Sequence, residues 1–156
     1  MKKLIALLLI GLMTLALTGC FGTGQTAATE DPDATEPLEA SAYEQSFAGF
    51  KQYMIDHKYV AASSESELYY DLLGADNGAR FLLSGNAFVE LYDFTKADNS
   101  TAKAYLADMK DDGKFIAVEG LDELTAAFSK SGKYVMVYNA KNNYDYTTIV
   151  AELENW

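Results

Sequence analysis

The sequence predicts an α+β domain with a mostly antiparallel sheet of four to five strands and helices packed largely on one face. Three observations predict it. Apolar residues recur at helical spacing in separate blocks rather than in regular alternation with strands. Strand-like runs cluster between Ala79 and Phe94 and again between Lys114 and Asn139. Short turn signals, Gly85-Asn86 and Ser129-Lys130-Ser131-Gly132, separate several of those runs, as antiparallel neighbours require.

Taken in order, Ser41-Ala42-Tyr43-Glu44 has the capping-box pattern. Tyr43, Phe47, Phe50 and Met54 follow on one helical face, so a helix is expected from Ala42 to about His57. His57 and Lys58 then fall where a helix C-terminus favours positive charge. Lys58 to Ala61 reads as extended. Ser64-Glu65-Ser66-Glu67 repeats the capping pattern before a short helix that Gly74 stops. Ala79–Ser84 and Ala87–Phe94 read as strands joined by a two-residue turn at Gly85-Asn86. In the second strand Phe88, Tyr92 and Phe94 share one side and Val89 and Leu91 the other, which makes it central.

Asp98 or Ser100 caps the next helix, where Ala102, Tyr105, Leu106 and Met109 share a face up to Gly113. Lys114–Val118 reads as a strand. Residues 121–128 fit either a helix or a strand, with the turn behind them favouring the strand. Lys133–Asn139 is a strand, and Asn142 or Asn143 caps a last helix with Tyr146, Ile149, Val150 and Leu153 on one face. From Ala87 onward the order is also similar to a degraded thioredoxin fold, without the cysteine pair that carries its chemistry.

The chain begins Met1-Lys2-Lys3, followed by an apolar run from Leu4 to Leu17. A positive head before a short apolar core is a secretory signal, and a membrane span needs about 20 apolar residues. The run closes on Leu17-Thr18-Gly19-Cys20, which resembles the lipobox of bacterial lipoproteins. The resemblance implies diacylglyceryl transfer to the Cys20 sulfur and cleavage after Gly19. Residues 1–19 are then a lipoprotein signal peptide. Two acyl chains hold a protein on a bilayer where one holds it only marginally. The expected location is the cell membrane, lipid-anchored and facing outside the cytoplasm.

Residues 20–40 read as the lipidated cysteine and an acidic, disordered tether. Both prolines of the chain are here, Pro32 and Pro37, with Glu30, Asp31, Asp33, Glu36 and Glu39 and no Lys or Arg. Such a segment buries too little apolar surface to offset its ordering entropy. As a coil it reaches about 25 Å. Residues 41–156 form a single small domain.

Removing the leader takes away Lys2 and Lys3 and makes the formal charge of −11 more negative by two. That argues against a nucleic-acid partner, whose phosphates demand Lys and Arg. With Cys20 acylated no cysteine remains, so disulfides and thiol chemistry are excluded. One histidine, His57, does not make a zinc site or a hydrolase triad, and no phosphate-binding loop occurs. The composition therefore points to no cofactor and no metal.

Two carboxylate pairs, Glu90 with Asp93 and Asp111 with Asp112, are the candidates for acid–base chemistry. Tyrosine is enriched, with eleven in the chain. Tyr134 and Tyr138 flank Met136 on one strand side and are the candidate binding residues; Tyr144 and Tyr146 flank the last helix. The expected function is a non-catalytic binding module for a protein, peptide or envelope component. The alternative is a cell-envelope hydrolase using paired carboxylates. The layout also resembles small lipoproteins of Gram-positive bacteria, through the lipobox, the acidic tether, Phe88-Val89-Glu90-Leu91-Tyr92-Asp93-Phe94 and Gly132-Lys133-Tyr134-Val135-Met136-Val137. That group implies no activity.

Overall fold

A strand that is apolar on both sides must be covered on both sides, and Phe88–Asp93 is such a strand. The computed structural model describes residues 36–115 and 123–156. Within them the chain runs α1 (Phe47–Asp56), β1 (Glu65–Ser66), β2 (Asn77–Leu82), β3 (Phe88–Asp93), α2 (Ser100–Asp112), β4 (Lys114–Phe115), β5 (Leu124–Phe128), β6 (Tyr134–Tyr138) and α3 (Thr147–Asn155). The strands form one sheet in the order β1-β2-β3-β6-β5-β4. Every pairing is antiparallel.

The α+β class and the antiparallel sheet are as expected. The sheet has six strands rather than four or five, because β1 and β4 add short edges. No parallel pair occurs among the described residues, so the thioredoxin-like order is not realised. Residues 124–128 are strand. Residues 116–122, which hold the rest of the Lys114–Val118 run and the start of 121–128, lie outside the described residues. So do the leader, Cys20 and the tether through Thr35.

β3 sits inside the sheet with Val89, Glu90, Leu91 and Tyr92 all buried. Val89 and Leu91 join Phe81, Met136 and Tyr134 on one face, under Phe50 and Met54 of α1 and Ile149 and Leu153 of α3. Tyr92 joins Val135, Val137, Ala126 and Phe115 on the other, with Ala102 and Met109 of α2. Helices thus cover both faces, two against one.

α1 begins five residues later than the Ser41 capping pattern suggests. Residues Ala40–Ala42 form a single 3-10 turn. The cap is Ser46, whose Oγ accepts a hydrogen bond from Gly49 N at 3.1 Å. The Glu44 carbonyl crosses directly over Gly49, where a Cβ would stand 1.9 Å from that oxygen. Only glycine admits this entry, and the chain cannot continue helically through it. At the far end His57 is the C-cap, as expected. Lys58 then takes φ 60°, and Tyr59 N and Val60 N both bond Met54 O. That wrap replaces the extended segment expected at Lys58–Ala61.

Ser64–Glu67 opens no helix. Glu65 and Ser66 pair with Phe81 and Arg80 instead, and a 3-10 turn follows at Tyr70–Leu73, stopped by Gly74 in the left-handed region. α2 is capped by Asn99, between the two expected caps, and ends at Gly113. α3 starts at Thr147 because Asn142 is engaged elsewhere. Its Oδ1 accepts from Tyr144 N and its Nδ2 donates to Tyr146 Oη. Asp145 Oδ1 accepts from Thr147 N at the helix start.

The end of the expected tether belongs to the folded unit, which runs from Glu36 to Trp156. His57 Nε2 donates to Leu38 O at 2.9 Å, and Ala40 packs against the core. Removing residues 21–35 is therefore expected to leave the melting temperature unchanged, whereas removing 21–42 lowers it by a few degrees, as calorimetry would read. Gly49→Ala is expected to cost about 1–3 kcal/mol, measured as a lower urea midpoint at unchanged slope.

Candidate binding groove

The face of the sheet covered by α2 is only partly roofed. Over β2 and β3 the roof is the segment Leu68–Leu73, held down by two glycines. Gly78 lets it rest on β2: a Cβ there would lie 2.6 Å from Tyr70 Cβ and 3.0 Å from Leu68 Cδ2. Gly74, at φ 71°, abuts the start of α2. Asn99 joins the two pieces, since its Oδ1 caps Ala102 N at 2.8 Å while its Nδ2 donates to Gly74 O at 3.0 Å.

Between this segment and α2 a groove of about 450 Å³ stays open. Leu68 and Leu73 line one wall, Tyr105, Phe115 and Leu124 the other. Tyr69 and Leu72 stand on the rim, 67% and 70% exposed, which is unusual for large apolar residues side by side.

The floor is polar. The β2–β3 register sets Arg80 opposite Glu90. Glu90 is buried, at 8% exposure. Its Oε2 accepts from Tyr92 Oη at 2.8 Å, and its Oε1 lies 3.5 Å from an Arg80 Nη. That separation holds an ion pair but exceeds an ordinary N–H···O bond. Arg80 lies over the Phe88 ring, 4.3 Å from its centroid, and its Nε is buried without an acceptor. Burial, reinforced by the Glu90 charge, holds the Tyr92 phenol far above its ordinary range, and Arg80 offsets this only in part.

Tyr134 and Tyr138 do share a strand side with Met136, but the row is not a free surface. Tyr134 is 8% exposed and packs 6.2 Å from Phe47, so α1 seals it from contact. Tyr138 is half-buried against Tyr146, with ring centroids 4.6 Å apart. It borders a shallow depression with Tyr144, Asp145 and Thr147 beside α3. Glu90 and Asp93 alternate on β3, so they face opposite sides of the sheet; Asp93 accepts from Thr95 N. Asp111 and Asp112 are exposed at the end of α2, with Asp112 accepting from Lys114 N. Both border, with Asp108 and Lys114, a cavity of about 280 Å³ beside α2, but as neighbours at one helix end they do not face each other across it. His57 sits at the end of α1 against Tyr53 and Tyr59. Cys20 lies outside the described residues. Among the described residues no three His, Cys, Asp or Glu side chains gather as a metal ion would require.

Sequence reasoning missed Arg80, the roof segment and hence the groove. The available signal was a charged residue, Glu90, inside a strand apolar on both sides, with the chain's one arginine across the hairpin. Compared with known proteins, the chain matches no family model, no curated protein and no solved structure.

Tyr92 and Tyr53 both hold their protons far above the usual phenol range; in each the leading cause is burial, followed by a neighbouring glutamate. Above about pH 10, where an unfolded tyrosine ionises, the native state keeps protons that the unfolded state has lost. Stability is therefore complete below that pH and declines as pH rises through it. Urea unfolding at successive alkaline pH values should show the decline. Tyr92→Phe should cost about 1.5–3 kcal/mol at neutral pH, the value of a hydrogen bond to a charged group, and should flatten the alkaline slope.

Proposed function

We propose that the chain is a membrane-anchored extracytoplasmic lipoprotein whose domain acts as a non-catalytic binding module for a protein, peptide or envelope component. The groove carries this reading. An apolar trough with exposed Tyr69 and Leu72 on its rim and a half-buried Arg80 paired with a buried Glu90 on its floor has the make-up of a recognition site. The anchor rests on Leu17-Thr18-Gly19-Cys20 and the apolar run before it. Among the described residues no helix is long and apolar enough to cross a membrane. The alternative, hydrolysis of an envelope polymer by paired carboxylates, needs two acids facing each other across one cleft; Glu90 and Asp93 point to opposite sides of the sheet, and Asp111 and Asp112 are neighbours on the rim of one small cavity.

Cys20→Ala should move the protein from the membrane fraction to the soluble fraction; a variant that stays membrane-bound removes the anchor from the proposal. A photoreactive residue in place of Tyr69 should crosslink to an envelope component in intact cells. Leu72→Glu should abolish that crosslink while leaving the unfolding midpoint within about 0.5 kcal/mol of the parent, as surface changes generally do. Crosslinks that persist in Leu72→Glu would place the contact elsewhere.

A further inference from the structure

The groove's floor offers one acceptor and one donor side by side, both incompletely used. Glu90 Oε1 receives no hydrogen bond among the described residues; its nearest cation is the Arg80 Nη at 3.5 Å. Arg80 makes no side-chain hydrogen bond there, and about a third of its side chain is exposed. The Glu90 side chain is 10% exposed and borders the groove. Leaving the buried atoms unmade, Glu90 Oε1 and the unpartnered Arg80 Nε, is costly, so the floor selects what can satisfy both side chains.

Charge decides the class of ligand. Arg80 and Glu90 together are neutral. A cation attracted to Glu90 meets Arg80, and an anion attracted to Arg80 meets Glu90 and Glu67 at the groove's edge. An uncharged amide meets neither obstacle: its N–H donates to Glu90 Oε1 while its C=O accepts from the guanidinium. The walls of Leu68, Leu73, Phe115 and Leu124 call for an apolar group attached to that amide. The exposed rim of Tyr69 and Leu72 calls for chain continuing beyond it.

Resting on the binding-module reading above, we infer that the groove takes a peptide segment, seating an apolar side chain between its walls and a backbone amide on the Arg80–Glu90 pair. A site built to hydrogen-bond its ligand rejects an analogue lacking the donor far more strongly than one that reads shape alone.

The test is a titration of the full chain in lipid nanodiscs, followed through ¹³C-methyl leucine signals from Leu68, Leu72, Leu73 and Leu124. The probes are N-isopentylacetamide, isopentyl acetate, isopentylammonium and N-acetyl-Leu-Phe-amide. The acetamide should shift these methyls and bind at least about tenfold more tightly than the acetate, a ratio of about 1.4 kcal/mol. The ammonium should bind no better than the acetate. The capped dipeptide should bind several-fold more tightly than the acetamide and also shift Leu72 on the rim. The double variant Arg80→Met/Glu90→Met replaces the ion pair by apolar groups of similar volume, a change that folds generally tolerate; it should bind acetamide and acetate equally.

Equal binding of acetamide and acetate by the parent chain would overturn the amide assignment while leaving an apolar groove. Preference for the ammonium would mean that the floor reads positive charge. A dipeptide no tighter than the acetamide would overturn the peptide. Methyls unmoved by every probe would remove the groove itself, and with it the reading on which this inference rests. Should the double variant fail to fold, the amide–ester comparison in the parent chain decides alone.

Discussion

The structure depends on one constraint: a carboxylate is buried in a strand that is covered on both faces. Placing Glu90 out of water costs several kcal/mol unless it is paired and hydrogen-bonded. Arg80 and Tyr92 meet that need from the same face, one across the hairpin and one along the strand. The β2–β3 register is fixed as a result. With Arg80 opposite Glu90, Ala79 and Phe81 must point to the other face, where they complete the core under α1 and α3. A shift by one residue would bury Arg80 among Phe50 and Met54 and leave Glu90 without a cation.

The two faces are closed by different means, and the difference creates the groove. On one face α1 and α3 are tied together through Glu152, which accepts from Tyr53 Oη at 2.6 Å and Tyr59 Oη at 3.2 Å. Trp156 packs on Phe50 and Tyr53 in the same layer. On the other face one helix and a 3-10 turn share the cover, and the hydrogen bond from Asn99 to Gly74 ties them at one end. The opening lies where a helix with a full apolar stripe would otherwise sit. The chain supplies Leu68-Tyr69-Tyr70-Asp71-Leu72-Leu73 there, too short for such a stripe.

Much of the fold was legible because period and punctuation agree. β3, β6, α2 and the face of α3 follow their apolar spacing, and Gly74 and Gly113 end their elements as expected. The misreadings share a cause: a local signal yielded to a contact made elsewhere. The Ser41 and Ser64 capping patterns are sound in isolation. The first gives way to the crossing of Glu44 over Gly49, the second to pairing of Glu65 and Ser66 with β2. The groove was hidden by one residue of loop. A two-residue turn at Gly85-Asn86 places Arg80 opposite Leu91, on the wrong face. In the structure Leu83 N bonds Ala87 O, leaving Ser84, Gly85 and Asn86 between, with Gly85 and Asn86 both at positive φ. That loop sets Arg80 opposite Glu90. The spacing of Tyr134, Met136 and Tyr138 puts them on one side of β6, but only the packing of the helices decides which row is covered.

The sheet's central seam has a kinetic meaning. β2 and β3 meet across three loop residues, whereas β3 finds β6 only when Val89 is brought to Tyr138. The near partner closes quickly and the distant one must search, because loop closure grows costlier with length and non-local pairings slow folding. The hairpin, already holding its ion pair, would therefore wait with the β6-facing edge of β3 unpaired until the last third of the chain arrives. For a nascent chain, that interval is the time of greatest exposure to sticking and cleavage.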